Sequence, residues 1–226
     1  MGVQSISVGR LSLEANIIQE QPLFWRAIRA LERIVALALL ALTLPLLVVV
    51  SAVIVLLSRR SPLIAHRRVG HGGRDIWVLK LRTMWPPDKE TCGLPPLLEQ
   101  VESEPAPDLK YQFDPRVTSR FAQFCRRFSI DESPQLWQVV TGEMALVGPR
   151  PLMAEEIETF YGARASELLS VKPGITGLWQ VKGRSRLRRP QRTRLDLFMI
   201  HHWSMTLYLQ ILWTTVPSVL TGKNAW

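Results

Sequence analysis

Ile34 to Leu57, IVALALLALTLPLLVVVSAVIVLL, is a run of 24 residues without one charge. As an α-helix rising 1.5 Å per residue it reaches ~36 Å, enough to cross a hydrocarbon core of ~30 Å. The run is too long, starts too late and lacks the small-residue cleavage site of a signal peptide, so we expect it to stay and to lodge in a membrane. Arg26, Arg29 and Arg33 flank one end, and Arg59, Arg60, Arg67 and Arg68 flank the other. Positive charge marks the cytoplasmic side, so charge at both ends favours both ends being cytoplasmic. Pro45, near the centre, cannot donate to the Ala41 carbonyl and bends a helix, while Thr43 and Ser51 offer hydroxyls to freed backbone groups. These residues alone leave a bent spanning helix and a re-entrant helix-break-helix both open.

The second constraint is charge. The 226 residues carry a net charge of +9, which calls for an anionic partner such as lipid headgroups, a nucleotide diphosphate or nucleic acid. Lys182 to Arg194, KGRSRLRRPQRTR, holds seven basic residues in thirteen. It contains no aromatic residue on which bases would stack, so we expect no nucleic-acid partner. Cys92 and Cys125 are far apart and read as reduced thiols. The neighbouring His201 and His202 point to different faces of a helix and cannot chelate as an i, i+4 pair does.

The residues that carry chemistry lie between Ser129 and Pro151, SIDESPQLWQVVTGEMALVGPRP. Asp131 and Glu132 stand directly before Ser133-Pro134, which reads as an N-cap followed by a first helical residue. This places the acids at the positive end of a helix, where carboxylates are stabilised and phosphate oxygens bind. Arg150 is mounted between Pro149 and Pro151. Two carboxylates, a helix end and a rigid cation suit phosphoryl chemistry on a metal-bound diphosphate.

This stretch does not stand alone. It is joined by VLKLRTM at 78–84, DPRVT at 114–118, KPGITGLWQV at 172–181 and RLDLFMI at 194–200. In this order the motifs resemble the bacterial sugar transferases, the monotopic phosphoglycosyl transferases that act on polyprenol phosphate, over roughly Phe24 to Gly222. The resemblance implies transfer of a sugar 1-phosphate from a UDP-sugar to polyprenol phosphate. Asp131 would be the nucleophile of an aspartyl-phosphosugar intermediate, with UMP released, and Glu132 would assist. It implies Mg²⁺ held at Asp131 and Glu132, and a substrate site lined by Lys80, Arg82, Arg126, Arg150, Pro151, Arg184 and Asp196. It further implies a re-entrant helix hinged at Pro45 on the cytoplasmic face of a bacterial inner membrane, against anionic lipids; self-association is left open. Three positions and one stretch depart from the family pattern: Ala36 where an acid is usual, Leu44 before the hinge proline, Ser133 where Leu is common, and the extra arginines at 186–194 where an acidic or mixed sequence is usual. The competing reading is a non-catalytic, membrane-attached basic protein that binds anionic lipid or nucleic acid.

The expected fold is α+β and mostly helical, with an extension over 1–23, a membrane segment over 24–60 and a catalytic domain over 61–226. Leu63–Val69 and Ile76–Thr83 read as a β-hairpin around His71-Gly72-Gly73-Arg74, with Lys80 and Arg82 on one face. Trp85–Tyr111 reads as a long loop. Val117, Phe121, Phe124, Cys125 and Phe128 fall at helical spacing. Ala154–Val171 reads as a helix broken near Gly162, KPGITG as a turn, and Leu178–Val181 as a short strand. Met205–Leu220 reads as a helix of the core or of the headgroup interface.

Overall fold

The computed structural model describes residues 23–85, 95–102, 119–183 and 186–222. One helix, α1 (Leu23–Ser58), carries the apolar run. It is long and apolar enough to cross a membrane, and its most apolar 18-residue stretch has a mean hydropathy of 2.9. Pro45 does not end it: the helical pattern continues to Ser58, because a proline deletes one backbone bond and the turns on either side keep theirs. Thr43 Oγ1 donates to the Leu39 carbonyl at 2.8 Å just before the proline.

The faces of α1 differ. Ala36, Leu47, Val50 and Ile54 recur at helical spacing and are buried against the rest of the protein. Leu42, Leu44, Val48, Val49 and Leu56 point away from it and are exposed. Packing occurs on both sides of Pro45: Ala36 joins a core with Ile76, Val78, Leu136, Val139 and Met144. Leu47, Val50 and Ile54 join another with Leu81 and Cys125. An exposed apolar stripe of this length belongs in lipid, and the chain is membrane-associated.

Strands β1 (Leu63–Val69) and β2 (Asp75–Leu81) form the expected hairpin. Its turn, His71–Gly73, takes left-handed backbone at Gly72 and Gly73. A third strand, β3 (Leu98–Val101), lies parallel to β1 at the other side, within the segment read from sequence as loop. Helix α2 (Arg120–Arg127) starts at Ser119, whose hydroxyl accepts from the Ala122 N–H at 3.0 Å. A 3₁₀ turn, Ile130–Gln135, then runs into α3 (Leu136–Thr141).

Strand β4 (Ala145–Val147) pairs in parallel with β5 (Gly174–Thr176), so part of KPGITG is strand rather than turn. The two strands approach so closely that a Cβ on Gly174 would collide with the backbone nitrogen of Gly148. Helices α4 (Ala154–Tyr161) and α5 (Ala165–Leu169) are separated at Gly162 as expected. Leu178–Lys182 is a helix, α6, not the expected strand; its short apolar run fits either period, and the buried Leu178 and Trp179 settle it by packing. Helices α7 (Arg189–His201) and α8 (Met205–Thr221) complete the fold. Leu209, Trp213, Val216 and Leu220 of α8 are exposed, an apolar face suited to the headgroup interface. The α+β, predominantly helical reading therefore holds.

Candidate active site

Asp131 and Glu132 lie in the first turn of the Ile130–Gln135 segment, not upstream of a helix start. Ser133 sits inside this segment and caps nothing. The turn opens instead at Ser129, held in left-handed backbone (φ 56°), whose carbonyl accepts from the Glu132 N–H at 3.2 Å. The sharp reversal aims both carboxylates toward β2. Gln138 fixes that approach: its Nε2 donates to the Trp77 carbonyl at 2.9 Å, tying α3 to the hairpin.

Lys80 projects from β2 onto this pair, its Nζ 2.7 Å from Glu132 Oε1. Arg150 reaches the same oxygen from the GPRP turn, at 3.4 Å. That turn is held by Gly148 N–H donating to the Thr176 carbonyl and Gly174 N–H to the Pro149 carbonyl, both by the β4–β5 crossing. Pro151 is buried in the mount. Two cations thus converge on Glu132.

Asp131 differs from its neighbour. Burial and the adjacent Glu132 charge push its carboxyl up to about 6, while Lys80 and Arg126 pull the other way. Burial also lowers the Lys80 ammonium from its ordinary value, with Glu132 opposing. Among the described residues Asp131 has no tight ion pair of its own, so a buried carboxylate stands beside Lys80 and Arg126.

The other expected site residues divide. Arg126 acts on Asp131 from the end of α2. Arg82, though on the same strand face as Lys80, is spent elsewhere: its Nε donates to the Ser61 carbonyl at 2.8 Å and its NH2 to Glu99 at 2.6 Å. It ties β3 and the end of α1 to the hairpin. Asp196 is 2 % exposed, and Tyr161 donates to it at 2.7 Å in the helical core. Among the described residues it shares no hydrogen bond or ion pair with the acid pair. Arg184 and the DPRVT stretch lie outside the described residues.

One buried acid escaped the sequence reading. Glu32, on the lipid helix, is 3 % exposed; Oε1 accepts from the Tyr208 hydroxyl (2.9 Å) and the Leu146 N–H (3.2 Å), and Oε2 pairs with Arg29 (2.8 Å). It welds α1 to α8 and to β4, the strand that leads into GPRP. Its partners come from 114 and 176 residues away, beyond any local pattern. An acid four residues before Ala36 was the only hint.

Fold and site together define a membrane-associated protein with an acid pair facing basic side chains. Residues 24–222 match the family model of the bacterial sugar transferases, and the chain belongs to that family. It is 38% identical over 206 residues to the UDP-galactose-lipid carrier transferase of Erwinia amylovora, covering 88% of this chain and 41% of that one. It is 36% identical to the exopolysaccharide production protein ExoY of Sinorhizobium fredii, covering 85% of this chain and 84% of that one. It is 38% identical to the UDP-glucose:undecaprenyl-phosphate glucose-1-phosphate transferase of Caulobacter vibrioides, covering 88% of this chain and 71% of that one. The chain thus spans under half of the first relative and most of the other two.

Proposed function

We propose that the protein transfers a sugar 1-phosphate from a UDP-sugar to a polyprenol phosphate such as undecaprenyl phosphate, the first membrane step of a polysaccharide or glycoconjugate. The observation that carries this is a buried Asp131 beside Glu132, with Lys80 and Arg126 acting on Asp131 and Lys80 and Arg150 paired to Glu132. The names of the relatives agree with the substrate classes.

Asp131 attacks the phosphorus next to the sugar. The bond from that phosphorus to the bridging oxygen breaks, its electron pair leaves with UMP, and an aspartyl-phosphosugar remains. An oxygen of polyprenol phosphate then attacks the same phosphorus, the bond to Asp131 breaks, and the carboxylate is restored. Lys80, Arg126 and Arg150 offset the charge that builds on the phosphoryl oxygens. Glu132 holds Lys80 and Arg150 in position between turnovers.

Asp131 and Glu132 are adjacent hard-oxygen donors that would hold Mg²⁺. Among the described residues no cluster of three or more metal-ligating side chains exists, so the remaining ligands would be substrate oxygens and water, the usual setting for this ion. Bound there, Mg²⁺ supplies charge neutralisation to the diphosphate.

The site faces the cytoplasm, with both ends of α1 on that side. Burial of Ala36 before Pro45 and of Val50 and Ile54 after it supports this, since a helix crossing to the far side would carry one of these contacts into lipid. Single cysteines near Arg29 and near Arg60, in a background lacking Cys92 and Cys125, should label from the same side; labelling from opposite sides would establish a spanning helix. The reaction itself is tested by UMP release from a panel of UDP-sugars in membranes containing undecaprenyl phosphate. Release with one or more sugars, lost in excess EDTA, is the expected result.

A further inference from the structure

One guanidinium nitrogen near Arg150, Arg68 NH1, is buried with no hydrogen-bond partner among the described residues. Arg68 stands on β1, on the same face of the hairpin as Lys80, because Arg68 is cross-paired with Ile76, His66 with Val78 and Ile64 with Lys80. Four residues of strand separate the Lys80 pair from the Arg68 pair, roughly 13 Å along the sheet. The next residue, Val69, donates its N–H to the Leu152 carbonyl at 2.8 Å in an isolated antiparallel bridge. That bridge brings the end of β1 against the GPRP turn and sets Arg68 beside Arg150.

Arg68 is a costly residue to leave so. After burial itself, the Arg150 charge is the strongest influence against its protonated form, so the two like charges repel. Glu156 and Glu155 offset this only at a distance, and Glu156 is already engaged by Arg189 at 2.9 Å and by the Met153 N–H. Arg192, its Nε on the Leu187 carbonyl and its guanidinium over Trp179, adds a further positive charge against Arg150. Like charges gathered in a desolvated place are stabilised by an anion between them.

The geometry points to a phosphate subsite at Arg68, shared with Arg150 and lying away from Asp131, that holds the nucleotide-side phosphate and with it the departing UMP. This rests on the proposed reaction and adds a direction to it. The sugar-side phosphate lies toward Lys80 and Arg126. The nucleotide lies toward β1 and the GPRP turn. The end of the site near Arg126 is left for the lipid acceptor.

The test measures UMP and uridine binding to the full-length protein by calorimetry, beside UDP-sugar turnover, in wild type, Arg68→Met and Arg68→Lys. Wild type should prefer UMP to uridine. Arg68→Met should weaken UMP roughly 10- to 100-fold, the worth of a charge-assisted hydrogen bond, and leave uridine unchanged. Arg68→Lys, which keeps charge and stem, should recover part of the loss and covers the case in which the Met variant fails to fold. Wild-type UMP affinity in Arg68→Met, even with a lowered melting temperature, would overturn the subsite and make Arg68 a counter-ion of Glu156. So would equal losses for UMP and uridine. A wild-type protein that turns over no UDP-sugar and does not distinguish UMP from uridine would instead overturn the proposed function, and this subsite with it.

Discussion

Asp131 and Asp196 are both carboxylates taken largely out of water, and burial raises both, to about 6 and about 7. Their surroundings part them. Asp131 sits in a turn facing Lys80 and Arg126, beside a second acid. Asp196 sits inside α7, bonded to the Tyr161 hydroxyl, with Val69, Ile157 and Leu197 of the helical core close by and Arg192 as its charged neighbour. Depth alone therefore does not mark a reacting group. What separates them is whether the cations are arranged to receive an additional anion or to satisfy the one present. Among the described residues Asp196 Oδ1 has no hydrogen-bond partner, and Arg192 is the charged neighbour that acts on it, where the acid pair has Lys80, Arg126 and Arg150.

The largest expected effect breaks the comparison at its reactive member. Asp131→Asn keeps the shape of the side chain and removes the nucleophile, and it should lower transfer by at least about a thousandfold. The measurement is UMP release together with trapping of a radiolabelled phosphosugar on the protein; near-normal turnover in a variant checked for deamidation would remove Asp131 from the mechanism. The same variant should gain stability at alkaline pH. Because the folded carboxyl is raised above its ordinary 3.8, the fold favours the protonated form, and ionisation between that value and about 6 costs stability. Wild type and Asp131→Asn should therefore melt together near pH 4 and diverge above pH 6, with the Asn form higher.

A smaller effect is read from pH in the wild type. Only ionised Asp131 attacks, so kcat/KM for the UDP-sugar should be level above about pH 6 and fall below it, roughly tenfold per unit. Glu132→Gln removes one cause of the raised value and should move the inflection downward. An inflection that stays in place in that variant would assign the profile to another group.

How much of this was legible in the sequence follows from the range of each interaction. The hairpin, α2 and the break at Gly162 are written in alternation, amphipathic spacing and a glycine, all local signals. The β3 strand was not, because its pairing with β1 comes from more than thirty residues away and its LEQV has no apolar alternation. The acid pair and GPRP were visible as motifs, but their approach depends on Gln138 reaching Trp77 and on the β4–β5 crossing. Strand alternation placed Lys80 and Arg82 together; the structure separates them, since only Arg82 meets Glu99 and the Ser61 carbonyl. Arg68 read as one more basic flank of the lipid segment. Its meaning appears only when Val69 is bridged to Leu152.

The smallest expected effect tests the structural member of the pair. Asp196→Asn preserves an oxygen to accept from Tyr161 and removes a charge that burial already disfavours, so transfer per folded molecule should change no more than a few-fold. Stability at pH 8 should hold or rise, by the same linkage as at Asp131. Asp196→Leu is the contrasting variant: it leaves the Tyr161 hydroxyl buried without an acceptor, at a cost of roughly 1–3 kcal/mol, measured as a fall in unfolding free energy. Both variants should keep an unaltered pH inflection, because neither touches the Asp131–Glu132–Lys80 group. A thousandfold loss in Asp196→Asn with folding intact would show that Asp196 takes part in the reaction, and that two buried acids in this fold differ less than their neighbours imply.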